Sequence, residues 1–247
     1  MIKLDKHYTD PRLVDLYDLE NPLDEDHDFF QQLITELEAQ TIIDLGCGTG
    51  LHTRAFAGNG RTVYGVDPAP AMLAYARRQP GAEKVIWVDG DADAFGDWSA
   101  DFALMTGNVA QIFLEDAAWN KTLAHFYAAL KKGGVLAFES RNPLARGWEM
   151  WTLEQTHQTM DTPHGPLESW LELVDVDEKT VHFQGINRFL DTDETIIVDS
   201  TLRFRTQQEI VTSLESVGFE LMDIYGRWDR APFEPTSPAM IFVAKKP

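Results

Sequence analysis

The chain has 247 residues, a hydrophobic fraction of 44% and a charged fraction of 25%, values that suit one α/β domain with a full core and exclude disorder. Its 40 acidic against 21 basic side chains give a net charge of −19 at pH 7, a field that repels nucleic-acid phosphates and anionic lipid. A single cysteine excludes an intrachain disulfide, and the seven histidines show no ligand spacing, so no metal is expected. The opening MIKLDKHYTD has no apolar signal core and no apolar run reaches the length of a membrane span, which makes a cytoplasmic address and no membrane partner the expectation.

The first forty residues read as helical and acidic. Asp24, Glu25 and Asp26 suit a helix start, and Phe29, Phe30, Leu33, Ile34 and Leu37 form one apolar stripe able to cover a sheet. Just before it, LYDLENP carries Tyr17 and a break at Pro22, and is expected to fold over the mouth of a site; Tyr8 and Tyr17 read first as packing aromatics. Residues 42–50, IIDLGCGTG, are a β-branched run leading through Asp44 into Gly46, Gly48 and Gly50. This is a strand entering a tight loop in which glycine permits positive φ and close approach of a nucleotide-like ligand. Cys47 reads as a small side chain in a crowded turn rather than a nucleophile. A helix over 51–57 follows, stopped by Gly58, Asn59 and Gly60, and then a strand over 62–66 that ends at Asp67. Asp67 stands 21 residues beyond Gly46, where a doubly wound sheet offers a carboxylate to ribose hydroxyls; it can also cap a helix over 68–78.

The third strand, 84–88, runs into DGDADAFGDW, and the fourth, 101–105, into Thr106, Gly107 and Asn108. A helix from Glu115 and Asp116 is expected to bury Trp119, Leu123, Phe126, Tyr127 and Leu130 and to end at Lys131, Lys132, Gly133 and Gly134, with His125 a packing or surface histidine. A fifth strand covers 134–139. Alternating strand and helix from 41 to 140 imply a parallel sheet with right-handed crossovers. From 150 to 205 the period is two: Ile196, Val198, Leu202 and Phe204 share one face, Asp199, Thr201, Arg203 and Arg205 the other. Turns at 177–180 and 191–194 divide this antiparallel insert into about three long strands. Thr206 and Glu209 have capping-box spacing, Ile210, Leu214 and Val217 give an apolar face, and Gly218 ends that helix. Strands over 219–225 and 240–244 are joined by RWDRAPFEPTSP, a loop long enough to border the site. The expected fold is α/β: a Rossmann-like, doubly wound, mostly parallel seven-stranded sheet with helices on both faces, in a single domain 1–247, with 150–205 as an antiparallel β insert on the substrate side.

The glycine loop alone leaves the cofactor open, since a nicotinamide fold also places glycines after strand one and an acid after strand two. Leu51, however, occupies the place of the third dinucleotide glycine, which counts against NAD. IIDLGCGTG, YGVDPAPAML, VDGDADAF, FALMTGNVAQIF and LKKGGVLAFESRNP, in this order and spacing, together resemble the class I S-adenosylmethionine-dependent methyltransferases over about residues 24–145. The resemblance implies S-adenosylmethionine as cofactor and S-adenosylhomocysteine as product. By it, Gly46, Gly48 and Gly50 surround the methionyl part, Asp44 lies near its amino group and Asp67 binds the ribose. Met72 lies against the adenine, Asp91 accepts from the adenine amino group, and Ala92 supplies a neighbouring backbone contact; Asp89 and Asp93 are surface acids. Thr106, Gly107 and Asn108 border the methyl-transfer site. TGNVAQ stands where many amino-methylating relatives that act on larger substrates carry (D/N)PP(Y/F), which argues with the charge against nucleic-acid or protein-amide substrates.

The expected activity is methyl transfer to a small-molecule N or O nucleophile by in-line displacement, governed by proximity and orientation. Tyr17, Asn108, Arg141 and Trp148 are the substrate candidates, because they border the cofactor end of the sheet or open the insert; Trp148 and Trp151 read first as core. No residue is marked as a general base. The competing readings are an NAD-dependent oxidoreductase and a cofactor-binding protein without transferase activity.

Overall fold

The computed structural model describes residues 4–247. Helices α1 (Pro11–Glu20) and α2 (Glu25–Glu36) precede β1 (Thr41–Leu45), α3 (Leu51–Phe56), β2 (Thr62–Asp67), α4 (Pro70–Ala76), β3 (Val85–Asp89), β4 (Ala100–Met105), α5 (Asp116–Ala129) and β5 (Leu130–Arg141). A short helix α6 (Leu153–Thr156) leads into β6 (Gln158–Thr162), β7 (Gly165–Val176), β8 (Thr180–Phe189) and β9 (Glu194–Arg203), and the chain closes with α7 (Gln207–Val217), β10 (Glu220–Tyr225) and β11 (Ala239–Lys245).

The main sheet has the order β10-β11-β5-β4-β1-β2-β3. β1 to β5 are parallel, while β11 runs antiparallel to both β5 and β10. The chain moves outward from β1 in one direction through β2 and β3 and then returns to the other side through β4. A crevice therefore opens at the carboxyl ends of β1 and β4, the switch point where such sheets hold ligands. Both sheet faces are covered, so the strands are continuous apolar runs: Ile42, Phe102 and Ala137 pack with α2 and α3, while Ile43, Ala103 and Phe138 pack with α5 and α7.

Phe29, Phe30, Leu33 and Ile34 of α2 are buried as the stripe requires, but Leu37 caps the helix and is exposed. LYDLE continues α1, which starts with Pro11 behind an Asp10 cap, and the break falls only at residues 21–24. This helix bridges two bodies. Leu13 and Leu16 pack on Leu167, Phe189, Ile196 and Val198 of the insert, whereas Val14 packs on Ala69 and Met72. Helix α5 ends at Ala129, and Lys131 and Lys132 already belong to β5, where Lys131 pairs with Asp101 of β4. Tyr127 is half-buried.

The insert is a separate sheet of order β6-β7-β8-β9, antiparallel throughout, with four strands rather than three because a short edge strand precedes the long ones. Ile196, Val198 and Phe204 are buried as the period requires, and Leu202 is half-buried. Arg203 and Arg205, on the polar side of that alternation, are nevertheless only 2% and 3% exposed. The reason is what lies opposite: Arg203 meets Glu209 at 3.2 Å, and Arg205 donates to Asp116 and to the Phe113 carbonyl at 2.9 Å while lying 5.2 Å over the Trp119 ring. The polar end of β9 is thus fastened to the core helices. The Thr206–Glu209 capping box and the left-handed Gly218 bound α7 as read from the sequence.

Candidate active site

β1 delivers its backbone into the glycine loop at the crevice. The Gly46 N–H donates to the Val66 carbonyl at 2.8 Å, and its φ of +76° leaves a side chain there colliding with Val109. Gly48 (φ +54°) has open space where a Cβ would be, and its N–H donates to Asp67 Oδ2 at 2.8 Å. Asp67 Oδ1 accepts from the Ala69 N–H, also at 2.8 Å, so this carboxylate both joins the loop to the start of α4 and borders the cavity. Burial raises its pKa, and those two N–H groups oppose the shift.

Two cavities meet here. The smaller, about 480 Å³, is lined by Gly46, Gly48, Asp67, Thr106 and Glu139. The larger, about 890 Å³, is lined by Asp91, Ala92, Trp170, Phe183 and Asn187, so the insert forms much of its wall. Tyr8, Tyr17, Gly107, Asn108 and Arg141 border both. A methionyl group at the glycine loop and an adenine at Asp91 would therefore span the junction, with room left against the insert. The residues fit such a cofactor: the loop carries no side chain at Gly46 or Gly48, and a buried carboxylate, Asp67, faces the space. Asp91 accepts from the Asp93 N–H at 2.9 Å and caps the short turn Ala92–Ala94. Asp89 and Asp93 are surface acids, paired with Arg77 at 2.7 Å and with Lys121 at 2.6 Å.

Four expected site residues border neither cavity. Asp44 is fully buried beneath the loop, where its Oδ2 accepts from the Thr53 hydroxyl at 2.6 Å and burial pushes its pKa up to about 7. Gly50 is backed by Trp87, with φ +72° at the cap of α3. Met72 lies in the contact between α4 and α1. Trp148 packs edge-on to Phe204 at 4.6 Å, inside the insert. The remaining candidates are gathered at the crevice, with Thr106 buried at its floor and Asn108 held at φ +61°.

Sequence singles out Tyr17 and Arg141 on this wall but not Glu139 or Asn187. Glu139, near the end of β5, is 4% exposed; its Oε1 accepts from the Asn108 N–H, and Oε2 has no partner among the described residues. Burial raises its pKa to about 7, Asp26 adds to the rise, and the Asn108 N–H and Arg141 oppose it. Arg141 donates to Gln111 Oε1 at 3.0 Å and lies 5.7 Å from the Trp151 ring centre. Burial lowers its pKa while Glu139, Tyr8 and Tyr17 raise it. Tyr17 is pushed up to about 12, first by burial and then by Asp67. Asn187, 2% exposed, has an amide nitrogen without a partner among the described residues. An acid closing the buried run VLAFES was the one visible hint of Glu139.

Residues 42–134 match the family described as a methyltransferase domain. The chain is 31% identical over 122 residues to a glycine/sarcosine N-methyltransferase of Parasynechococcus marenigrum (strain WH8102), covering 47% of this chain and 43% of that protein. It is 38% identical over 100 residues to a malonyl-[acyl-carrier protein] O-methyltransferase of Enterobacter lignolyticus (strain SCF1), covering 39% and 37%. Residues 42–134 thus match the methyltransferase domain family. The matched region spans less than half the length of either curated relative. The likeness of fold extends further: the chain resembles an S-adenosylmethionine-dependent methyltransferase from Clostridium acetobutylicum ATCC 824 with a TM-score of 0.77 at 15% identity, covering 93% of this chain and 96% of that one. An S-adenosylmethionine-bound amino pentose methyltransferase from Micromonospora echinaspora gives 0.70 at 20% identity, covering 94% and 97%. The methyltransferase-domain match over residues 42–134 favours methyl transfer over the NAD-dependent oxidoreductase reading.

Proposed function

We propose that this methyltransferase moves a methyl group from S-adenosylmethionine to a nitrogen or oxygen nucleophile on a small molecule. The observation that carries this is the continuity of the glycine-loop cavity with an 890 Å³ chamber walled by the insert. The bound cofactor supplies a methyl group already activated by its sulfonium. The protein has to hold, orient and shield the reactants, and alignment alone can contribute ~7–11 kcal/mol of barrier reduction.

In this reading Gly46 and Gly48 take the methionyl part, Asp67 the ribose, and Asp91 with Ala92 the adenine. Thr106 and Asn108 border the transfer point, and Asp44 stiffens the loop from below. Tyr17 and Arg141 face the acceptor, with Arg141, the guanidinium that borders both cavities, meeting a carbonyl or anionic group. Residues 150–205 act as the substrate-side subdomain within a single domain 1–247. The relatives named above carry both N- and O-methyltransferase descriptions, and a trans-aconitate 2-methyltransferase of Deinococcus radiodurans is 35% identical over 111 residues, which supports a small acceptor. A net charge of −19 supports the same choice over nucleic acid. No described helix is long and apolar enough to cross a membrane, and a cytoplasmic location is part of the proposal.

A thermal-shift comparison tests the cofactor. At about a hundred times its dissociation constant, S-adenosylhomocysteine is expected to stabilise the protein by roughly 2.7 kcal/mol, with no shift from NAD. Asp67→Ala is expected to diminish the shift. Absence of any shift with S-adenosylhomocysteine would refute the proposal.

A further inference from the structure

We propose that Glu139 is the catalytic proton acceptor of the transfer site and that the nucleophile it serves is an amine arriving as its ammonium. The inference rests on the methyl-transfer reading above. Glu139 lies near the carboxyl end of β5, beside the turn that carries Thr106, Gly107 and Asn108, and it borders the same cavity as Gly46, Gly48 and Asp67. One oxygen is engaged by the Asn108 N–H. The other is buried with no donor among the described residues, which leaves a desolvated carboxylate oxygen short of a hydrogen bond. Arg141, two residues along, does not satisfy it, being turned to Gln111 and Trp151.

The environment selects among nucleophiles. Glu20, Asp24, Glu25 and Asp26 border the same cavity, so its mouth attracts cations. Of the charged groups acting on Glu139, Asp26 from α2 raises its pKa and Arg141 from β5 lowers it; on the neighbouring β11 the paired position is Ile241, and the turn after β4 contributes only the Asn108 N–H. Burial dominates and brings the carboxyl to about 7, close enough to a desolvated ammonium for proton transfer and far too weak a base for an alcohol.

The step balances. The acceptor's N–H bond breaks and its proton passes to Glu139 Oε2. The freed lone pair forms the N–CH3 bond as the S–CH3 bond breaks, and that electron pair stays on sulfur in the thioether product. One positive charge leaves on the methylated ammonium; the other ends as the proton on Glu139, which is then lost to water.

The test supplies methyl-labelled S-adenosylmethionine with a pool of primary and secondary aliphatic amines or with the matching alcohols, across a range of pH, to wild type, E139Q and E139D. The amide oxygen in E139Q retains an acceptor for the Asn108 N–H, and bound S-adenosylhomocysteine checks the fold of each variant. Label is expected in amines only, with the wild-type rate rising as pH passes about 7. E139Q is expected to lose about a hundredfold or more in kcat together with that pH limb, and E139D to recover part of both. Label in alcohols alone, no label in either pool, or E139Q matching wild type in rate and pH profile overturns the role of Glu139. If S-adenosylhomocysteine fails to bind the wild type, the methyl-transfer reading falls instead, so the two failures are distinguishable.

Discussion

A methyl group added at Gly48 meets no atom within 4 Å, because this residue borders the cofactor cavity, whereas one added at Gly46 runs into Val109. Gly48→Ala is therefore expected to cost only about 1–2 kcal/mol of stability for its left-handed backbone while occupying space needed by ligand. Gly46→Ala adds overpacking of about 1–3 kcal/mol to the same backbone term. Urea unfolding beside S-adenosylhomocysteine titration checks this: Gly48→Ala should lose affinity out of proportion to stability, and Gly46→Ala should lose both. Glu139 behaves differently. Its native pKa of about 7 exceeds its ordinary value of 4.5, so the folded protein keeps a proton that the unfolded chain has already released. Stability from this group is complete below the unfolded pKa and is lost as pH rises through about 7. In the absence of cofactor, E139Q should then exceed wild type by on the order of 2–3 kcal/mol in alkaline solution and converge with it in acid, as followed by urea unfolding against pH. A carboxylate kept at that cost in stability is what a proton acceptor requires. Asp67 and the glycines were legible in the sequence because each answers a local backbone demand. Glu139 was not, since its importance depends on a turn from the neighbouring strand and on an oxygen left without a hydrogen-bond partner among the described residues.

At the scale of elements, α1 and β9 decide how the insert meets the core. Helix α1 carries Tyr17 to the cavity and is tied to the glycine loop where the Thr49 hydroxyl donates to Asp18, with Arg54 3.7 Å from the same carboxylate. Because α1 covers α4, Met72 is enclosed by packing instead of facing the cavity. Arg205 fastens the far side through Asp116, the Phe113 carbonyl and the Trp119 ring. Arg205→Ala is expected to destabilise by about 2–3 kcal/mol, since it leaves a buried carbonyl unpaired and empties the space over Trp119. A proteolysis time course should then show earlier cleavage in 150–205, and a cleavage pattern like wild type would contradict the tether. Period-two alternation identified which side chains of β9 share a face, but not that α5 and α7 lie across from the polar one. Trp148, a substrate candidate that also read first as core, packs on Phe204, which comes from beyond the end of β9.

For the whole molecule, strand order explains where function resides. The reversal between β1 and β4 opens one crevice, and the glycine loop, Asp67, residues 106–108 and Glu139 all reach it from the carboxyl ends of parallel strands. This architecture was readable because strands buried on both faces appear as short apolar runs, and helices declare their ends through Gly218 or the Thr206–Glu209 box. The insert was expected on the substrate side, but which of its residues form the wall was not readable, because that depends on contacts between segments far apart in the chain. We propose that this crevice serves methyl transfer to a small acceptor. Incubation of the protein with methyl-labelled S-adenosylmethionine and a cell extract, followed by size separation, tests it most directly. Label should enter the low-molecular-weight fraction, be blocked by S-adenosylhomocysteine and be strongly reduced in Asp67→Ala. Label confined to protein or nucleic acid, or small-molecule label unaffected by Asp67→Ala, would contradict it.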